Sequence, residues 1–427
     1  MSFANHYLSK QRSAFHIPSE TPYRDLKYCI VIPCYNEDRL IVTLDSLWQC
    51  QRPGSGTEVI IVVNSSESDI PAVLDQNLRT IEEFKIWKSS HADPALKFHL
   101  IHVPDLPVKH AGAGMARKTG MDTAIYRFNL LNRQNGIIIS LDADCTCDKN
   151  YLLAIESAFK EHVHADCAIL YFEHPLSGND YPGSIYSGIR QYELHLRYHI
   201  ESLRHIKYPF AHHTLGSCFA VKAGAYVRQG GMNRKKAGED FYFLQKIFTS
   251  GYTTEINNTT VYPSPRPSAR VPFGTGPVIQ KMLSSDQQVL MTYNPQTYKD
   301  LGVFLKVIPE FYRISNSDQH NLLLKMPEPV REFLLTHELE QKIAEVNGNT
   351  GNCKAFTKRF YNWFNGLMLI KYLNYCHAAY CAEVPVEKAA YILLQEKGLK
   401  PEHGTGITEL LKAYRKIQQG QDYTILL

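Results

Sequence analysis

Apolar runs at residues 28–33, 59–63, 98–103 and 137–142 are short, rich in Val and Ile, and show little alternation, as in Ile60-Ile61-Val62-Val63 and Gly136-Ile137-Ile138-Ile139-Ser140-Leu141. Strands buried on both faces of a sheet have this pattern. Helical patterns fill the intervals at residues 40–49, 70–88 and 113–131. The alternation predicts a doubly wound α/β sheet. Ligands of such sheets lie beyond the carboxyl ends of the strands. Residues 33–37, 64–69 and 142–144 fall there, after the first, second and fourth runs.

From about residue 277 the strand signal ends. Helical patterns follow at 278–291, 330–346, 356–381 and 385–395, interrupted by Gly348-Asn349-Thr350-Gly351-Asn352. With 427 residues the chain is too long for one ordinary core. The expected organisation is an N-terminal extension over 1–25, an α/β domain over 26–276 and an all-helical region over 277–427.

Composition narrows the class. Hydrophobic residues at 44% and charged residues at 21% suit a soluble globular protein. The net charge of +4 is spread along the chain without a basic block, which argues against a nucleic-acid partner. Residues 364–384, the most apolar C-terminal stretch, carry Lys371, His377 and Glu383, and no transmembrane segment is expected. The first residues lack the layout of a secretory leader. Ten cysteines lie at irregular spacings, several inside apolar runs, so reduced thiols in a cytoplasmic setting are expected, with docking at the inner membrane surface left open. The aromatic C-terminal region, with Tyr361, Trp363, Phe364, Tyr372 and Tyr375, offers a lid, a docking face or a homo-oligomer interface.

Two acidic pairs carry the candidate chemistry. Asp142-Ala143-Asp144 ends the fourth strand, and residues two apart in an extended segment point the same way, so both carboxylates could face one ion. Mg²⁺ and Mn²⁺ take such oxygens, completing their shell with substrate phosphates and water. The alternative is a solvated turn with Asp148 capping the next helix. Glu239-Asp240 opens a helical run, where a carboxylate could serve as a base or only as a cap. Arg266 and Arg270, in a Pro-rich and then Gly-rich stretch, could grip phosphate from a mobile flap or belong to a surface linker. His212 and His213 could line an acceptor, although ordinary polar contacts explain them too. Tyr186, Tyr192, Tyr198, His195 and His199 form a stripe that could stack on sugars but suits a core. Cys145, Cys147, His162 and His164 do not make a zinc site, because the intervening helix of about 12 residues spans roughly 18 Å.

The order of motifs resembles family 2 of the glycosyltransferases. The match runs through Val31-Ile32-Pro33-Cys34-Tyr35-Asn36-Glu37, residues 59–69, Gly112 to Gly120 with Ala116-Arg117, and Leu141-Asp142-Ala143-Asp144. It ends with Gly216-Ser217-Cys218-Phe219, Gly230-Gly231 and Gly238-Glu239-Asp240, and covers roughly residues 26–262. The resemblance implies a GT-A-like doubly wound mixed sheet flanked by helices, and inverting sugar transfer from a nucleoside diphosphate sugar to an acceptor hydroxyl. It implies donor contacts from Pro33, Tyr35, Glu37, Asn64, Asp69, Arg117 and Asp142, joined by Arg266 and Arg270. Asp142 and Asp144 would serve a divalent metal, Mn²⁺ or Mg²⁺. Asp240 would be the base, with Glu239 the lesser candidate. Three departures stand out: Asn64 where an acidic residue is usual, His110-Ala111-Gly112 in place of Asn-x-Gly, and Lys118 in place of Asn. No Gln-x-x-Arg-Trp follows Asp240, so single addition is expected rather than polymer synthesis. The acceptor, whether glycan, small molecule or lipid-linked sugar, is not specified.

Two other functions compete. A sugar nucleotidyltransferase should carry a Gly-rich basic loop after its first strand, and here that loop is Pro33-Cys34-Tyr35-Asn36-Glu37. A non-catalytic nucleotide-sugar-binding or scaffolding protein would have no need of Asp142, Asp144 and Asp240 together.

Overall fold

A computed structural model describes residues 2–11, 18, 20–233, 238–268, 274–284, 288–399, 401–402 and 404–420. The chain divides into two compact units, Met1–Ile189 with Thr214–Lys281, and Arg190–His213 with Met282–Leu427.

The first unit is built on eight strands: β1 (Leu26–Cys34), β2 (Gly56–Ser66), β3 (Leu96–Leu106), β4 (Ile137–Ser140), β5 (Thr146–Cys147), β6 (Ala165–Phe172), β7 (Phe219–Lys222) and β8 (Tyr252–Tyr262). They run in the order β3-β2-β1-β4-β7-β6-β8-β5. The β1, β2, β3 and β4 pairings are parallel, whereas β7 runs antiparallel to both β4 and β6, giving a mixed sheet flanked by helices. This is a GT-A-like fold. All eleven residues of β2 are buried, which is why its sequence lacks alternation.

Strand order reverses at β1, with β2 and β3 added on one side and β4 on the other, all four strands running parallel. The loops after β1 and β4 therefore flank the switch point where such sheets bind ligands. Pro33 fits within this interior strand because β1 pairing with β4 has already ended at Val31 and Ser140, so its missing N–H interrupts no bond on that side.

Helix Ala113–Leu130 lies so close to the sheet that a Cβ on Gly120 would stand 2.4 Å from Val31 Cγ1 and 3.2 Å from Val62 Cγ2. Gly120→Val is therefore expected to cost on the order of 1–3 kcal/mol through overpacking. In thermal melts the midpoint should drop by roughly 2–4 °C per kcal/mol; an unchanged midpoint would refute the close approach. The N-terminal segment is anchored on the same helix, where Tyr7 Oη donates to Asp122 Oδ1 at 2.6 Å and Ala4 N–H to Asn129 Oδ1 at 2.9 Å.

The second unit is mainly helical. The pattern over 330–346 resolves into two helices, Glu328–Thr336 and Leu339–Gly348, separated by a left-handed Glu338 at φ 58°. That over 356–381 likewise splits into Cys353–Trp363 and Gly366–Ala379, because Asn365 Oδ1 accepts from Leu367 N–H at 2.9 Å and caps a new helix. Met291, expected to end a helix, instead begins a two-residue strand, Met291–Thr292, antiparallel to Val384–Pro385. Helices Pro295–Val307, Asn316–Leu324, Val386–Glu396 and Ile407–Gln419 also belong to this unit.

Helix Gly183–His205 carries the aromatic stripe, and Tyr186, Tyr192 and Tyr198 are buried core residues. His195 pairs with Thr292 Oγ1 at 2.8 Å and His199 with Tyr298 Oη at 2.7 Å. Burial pushes these imidazoles down to about 4 and about 3, so they are neutral core hydrogen-bonding groups. His213 Nε2 lies 3.2 Å from Gln418 Oε1.

Candidate active site

Beyond the carboxyl ends of β1 and β4, one guanidinium gathers the acidic groups. Arg117, in the first turns of helix Ala113–Leu130, is 3% exposed. Its Nε donates to Glu239 Oε1 at 3.1 Å, and its Nη2 to Asp142 Oδ1 at 3.0 Å. Nη1 donates to Ser140 Oγ at 2.7 Å and to the Gly216 carbonyl at 3.0 Å. Burial disfavours its charge, but Asp142, Glu239 and Asp240 outweigh that and raise its pKa. Arg117, expected at the donor, is thus bonded to acidic residues that the chain supplies 25 and 122 positions away.

Gly238, left-handed at φ 71°, turns the chain into helix Glu239–Ser250 and so places Glu239 and Asp240 on its first turn. Asp240 Oδ1 accepts from Phe241 N–H at 2.7 Å. The N-cap residue, Gly238, supplies no side-chain cap, so the Asp240 carboxylate itself meets a first-turn N–H. The Asp240 carboxyl is pushed up to about 7, chiefly by burial and then by the Glu239 charge, with Arg117 and the Phe241 N–H pulling the other way. Gly216 leaves the necessary room: a Cβ there would stand 2.7 Å from Arg117 Nη2 and 2.9 Å from Asp240 Oδ2.

The Asp142-Ala143-Asp144 segment is a turn, closed by Cys145 N–H to the Asp142 carbonyl at 3.1 Å. The extended geometry expected of it does not occur. Instead the two side chains are fixed by different arginines, Asp142 by Arg117 and Asp144 by Arg266, whose Nε donates to Asp144 Oδ2 at 3.1 Å. Thr43 Oγ1 holds the turn from helix Leu40–Trp48 through the Ala143 carbonyl at 2.8 Å. Asp148 does not cap the following helix: its carboxylate accepts from Thr260 N–H at 2.8 Å and Tyr262 Oη at 3.0 Å, tying the turn to β8.

Asp142 and Asp144 remain 36% and 24% exposed and offer hard carboxylate oxygens. That donor set fits Mg²⁺ or Mn²⁺. Among the described residues no group of three or more His, Cys, Asp or Glu is arranged to hold an ion. A cation here would complete its shell with substrate phosphate and water.

The donor-side loops interlock. Tyr35 Oη donates to Asp69 Oδ1 at 2.8 Å, and Asp69 Oδ2 accepts from Ser66 N–H at 2.7 Å. Asn36, left-handed at φ 49°, donates its N–H to Asn77 Oδ1 at 2.9 Å, and Asn77 Nδ2 reaches the Asn64 carbonyl at 3.0 Å. Asn64 Nδ2 donates to the Gly112 carbonyl at 3.1 Å, while Asn64 Oδ1 and His110 Nδ1 are buried without a partner among the described residues. Two unsatisfied polar atoms on adjoining loops mark a place where a ligand could supply them. Glu37, 2% exposed, turns its carboxylate to Arg266: Nη1 donates to Oε1 at 3.0 Å and Nη2 to Oε2. Arg266 follows β8, so this bridge closes the β1 loop over the Asp144 turn. Arg270 lies outside the described residues.

Sequence reasoning missed Ser140, a strand-end residue without any distinguishing motif. It also gave no role to Thr43, an apparently ordinary helix residue.

The mixed sheet of this GT-A-like fold carries an acidic turn at its switch point and a second acidic pair on a nearby helix start. Residues 29–227 match the family described as glycosyl transferase family 2. Chitin synthase 7 of Verticillium dahliae is 30% identical over 135 residues, 30% of this chain and 18% of that protein, so the chain spans under a fifth of the length of this curated relative. Among solved structures, S. aureus TarS 1-349 in complex with UDP-GlcNAc is 15% identical, with a TM-score of 0.39 and 93% of each chain covered. The mannosyltransferase PcManGT from Pyrobaculum calidifontis, in complex with GDP-Man and Mn²⁺, is 15% identical, with a TM-score of 0.35, covering 99% of this chain and 90% of its own. Among the described residues no helix is long and apolar enough to cross a membrane.

Proposed function

We propose that this chain is an inverting, divalent-metal-dependent glycosyltransferase that adds a single sugar from a nucleoside diphosphate sugar to an acceptor hydroxyl. The observation that carries the reading is the Arg117 node, which joins the candidate base helix to the candidate metal turn through Glu239 and Asp142. Acid–base and metal functions are thereby held in one rigid unit, as transfer in a single displacement requires.

Asp240 takes the proton of the acceptor hydroxyl as its oxygen bonds to the anomeric carbon and the carbon–oxygen bond to the diphosphate breaks. One base and one displacement give inversion. A carboxyl titrating near 7 is matched to that task. Asp142 and Asp144 would hold the cation, which when bound supplies charge stabilisation for the departing diphosphate. The loops with Tyr35, Asp69 and Asn64 would hold the nucleoside; the reading is supported by Asn64 Oδ1, buried without a partner among the described residues, which a nucleobase N–H would satisfy. All ten cysteines are thiols, in keeping with a reducing cytoplasmic setting.

The test is nucleoside diphosphate release from UDP-, GDP- and dTDP-sugars with Mn²⁺ or Mg²⁺, with the anomeric configuration of the product followed by NMR. Metal-dependent release from one donor with inverted configuration is expected. Absence of both release and calorimetric donor binding would favour a non-catalytic protein.

A further inference from the structure

The wall of the acidic turn holds a thiol pair that the proposed reaction does not use. Cys50 follows helix Leu40–Trp48, and Cys147 lies in β5, three residues after Asp144. Their sulfurs are 3.6 Å apart. The backbone around them is already joined, with Gln51 N–H donating to the Lys149 carbonyl at 2.7 Å, so the two segments cannot drift apart readily. The same helix grips the turn at Ala143 through Thr43. Cys147 is partly exposed whereas Cys50 is buried.

We propose that Cys50 and Cys147 form a reversible, peroxide-driven disulfide that clamps the base of the Asp142–Asp144 turn. Cys50 sulfur attacks the peroxide O–O bond, giving its sulfenic acid and releasing water. Cys147 sulfur then displaces the sulfenic oxygen as a second water, its thiol proton leaving with that oxygen, and the S–S bond forms. Two thiols are oxidised by two electrons and one hydrogen peroxide is reduced to two waters. The Cys50 thiol is the more acidic of the two, lowered by the hydrogen bond from Cys147 and, against the effect of burial, by the nearby Arg52.

Closing 3.6 Å to a disulfide bond of about 2.0 Å draws the two segments together by up to roughly 1.5 Å. Displacements of about 1 Å near reacting groups can cost on the order of 10²-fold in rate. Part of the strain is taken up by side-chain rotation, and a loss of roughly tenfold in donor turnover is expected. That last effect rests on the glycosyltransferase reading, whereas the bond itself does not.

The test uses the full chain carrying Cys353→Ser, which removes the exposed thiol. After reduction it is treated with equimolar hydrogen peroxide, alkylated, digested without reductant and examined by mass spectrometry. The expected result is a Cys50–Cys147 linked peptide, two hydrogens lighter than the reduced pair and restored by dithiothreitol. Nucleoside diphosphate release should fall with it, and Cys50→Ser should abolish both the link and the peroxide sensitivity. Recovery of Cys50 and Cys147 as alkylated thiols while other cysteines are oxidised would overturn the proposal. A linked peptide with unchanged donor turnover would overturn the clamp while leaving the bond.

Discussion

Asp240→Asn is expected to lower turnover by about 10²–10⁴-fold, the usual contribution of a positioned base, with little change in donor affinity. Asparagine keeps the shape and the hydrogen bond from Phe241 N–H but has no pair of electrons basic enough for the acceptor proton. A pH profile distinguishes this from a structural defect. The native carboxyl is raised to about 7, and the working form is the ionised one. Activity should therefore fall tenfold per pH unit below about 7 and level off above it, on the acid limb of the profile. Glu239 contributes to that raised value by its negative charge, so Glu239→Gln should move the limb to lower pH. A limb that stays in place in Glu239→Gln, or an Asp240→Asn variant with native turnover, would remove Asp240 from the base role.

Much of the α/β half was legible because burial on both faces leaves an unambiguous trace. The runs at 59–63 and 137–142 needed no partner to be recognised as strands. Strand direction is different in kind: nothing in the composition of β7 shows that it runs antiparallel to β4 and β6, and the two-residue β5 is too short to leave any pattern. In the helical unit, periodicity marked the helices but not the breaks at Glu338 and Asn365, since a single left-handed residue or a capping amide scarcely disturbs an apolar repeat. The acidic pairs stood out by type and position. Their partners did not, because Arg117 reaches Glu239 across 122 residues and Arg266 reaches Asp144 across another 122, distances that only the fold closes. Gly216 entered the sequence reading as part of the Gly216-Ser217-Cys218-Phe219 stretch, yet what it supplies is the volume between Arg117 and Asp240.

Asp144→Ala and Arg266→Ala should move divalent-cation affinity in opposite directions. Arg266 is 15% exposed, and three carboxylates face it, those of Glu37 and Asp144 by hydrogen bonds and that of the exposed Asp38 at 3.6 Å. Burial disfavours the guanidinium charge, but Asp144 and then Glu37 outweigh it and raise its pKa. A cation approaching Asp144 thus competes with an internal one already hydrogen-bonded there. Removing Asp144 takes away one of the two carboxylates offered to the ion. Calorimetry should show Mn²⁺ binding weakened beyond detection, and donor turnover should fall by at least about 10²-fold, since the ion's charge stabilisation is worth several kcal/mol. Removing Arg266 frees the same carboxylate and should tighten Mn²⁺ binding in the absence of donor, with Arg266→Lys lying between because ammonium lacks the planar fork that engages Glu37 at two oxygens. If Arg266→Ala leaves Mn²⁺ affinity unchanged and weakens only donor binding, the arginine belongs to the diphosphate, as its position after β8 first suggested, and its bridge to Asp144 carries no competition with metal.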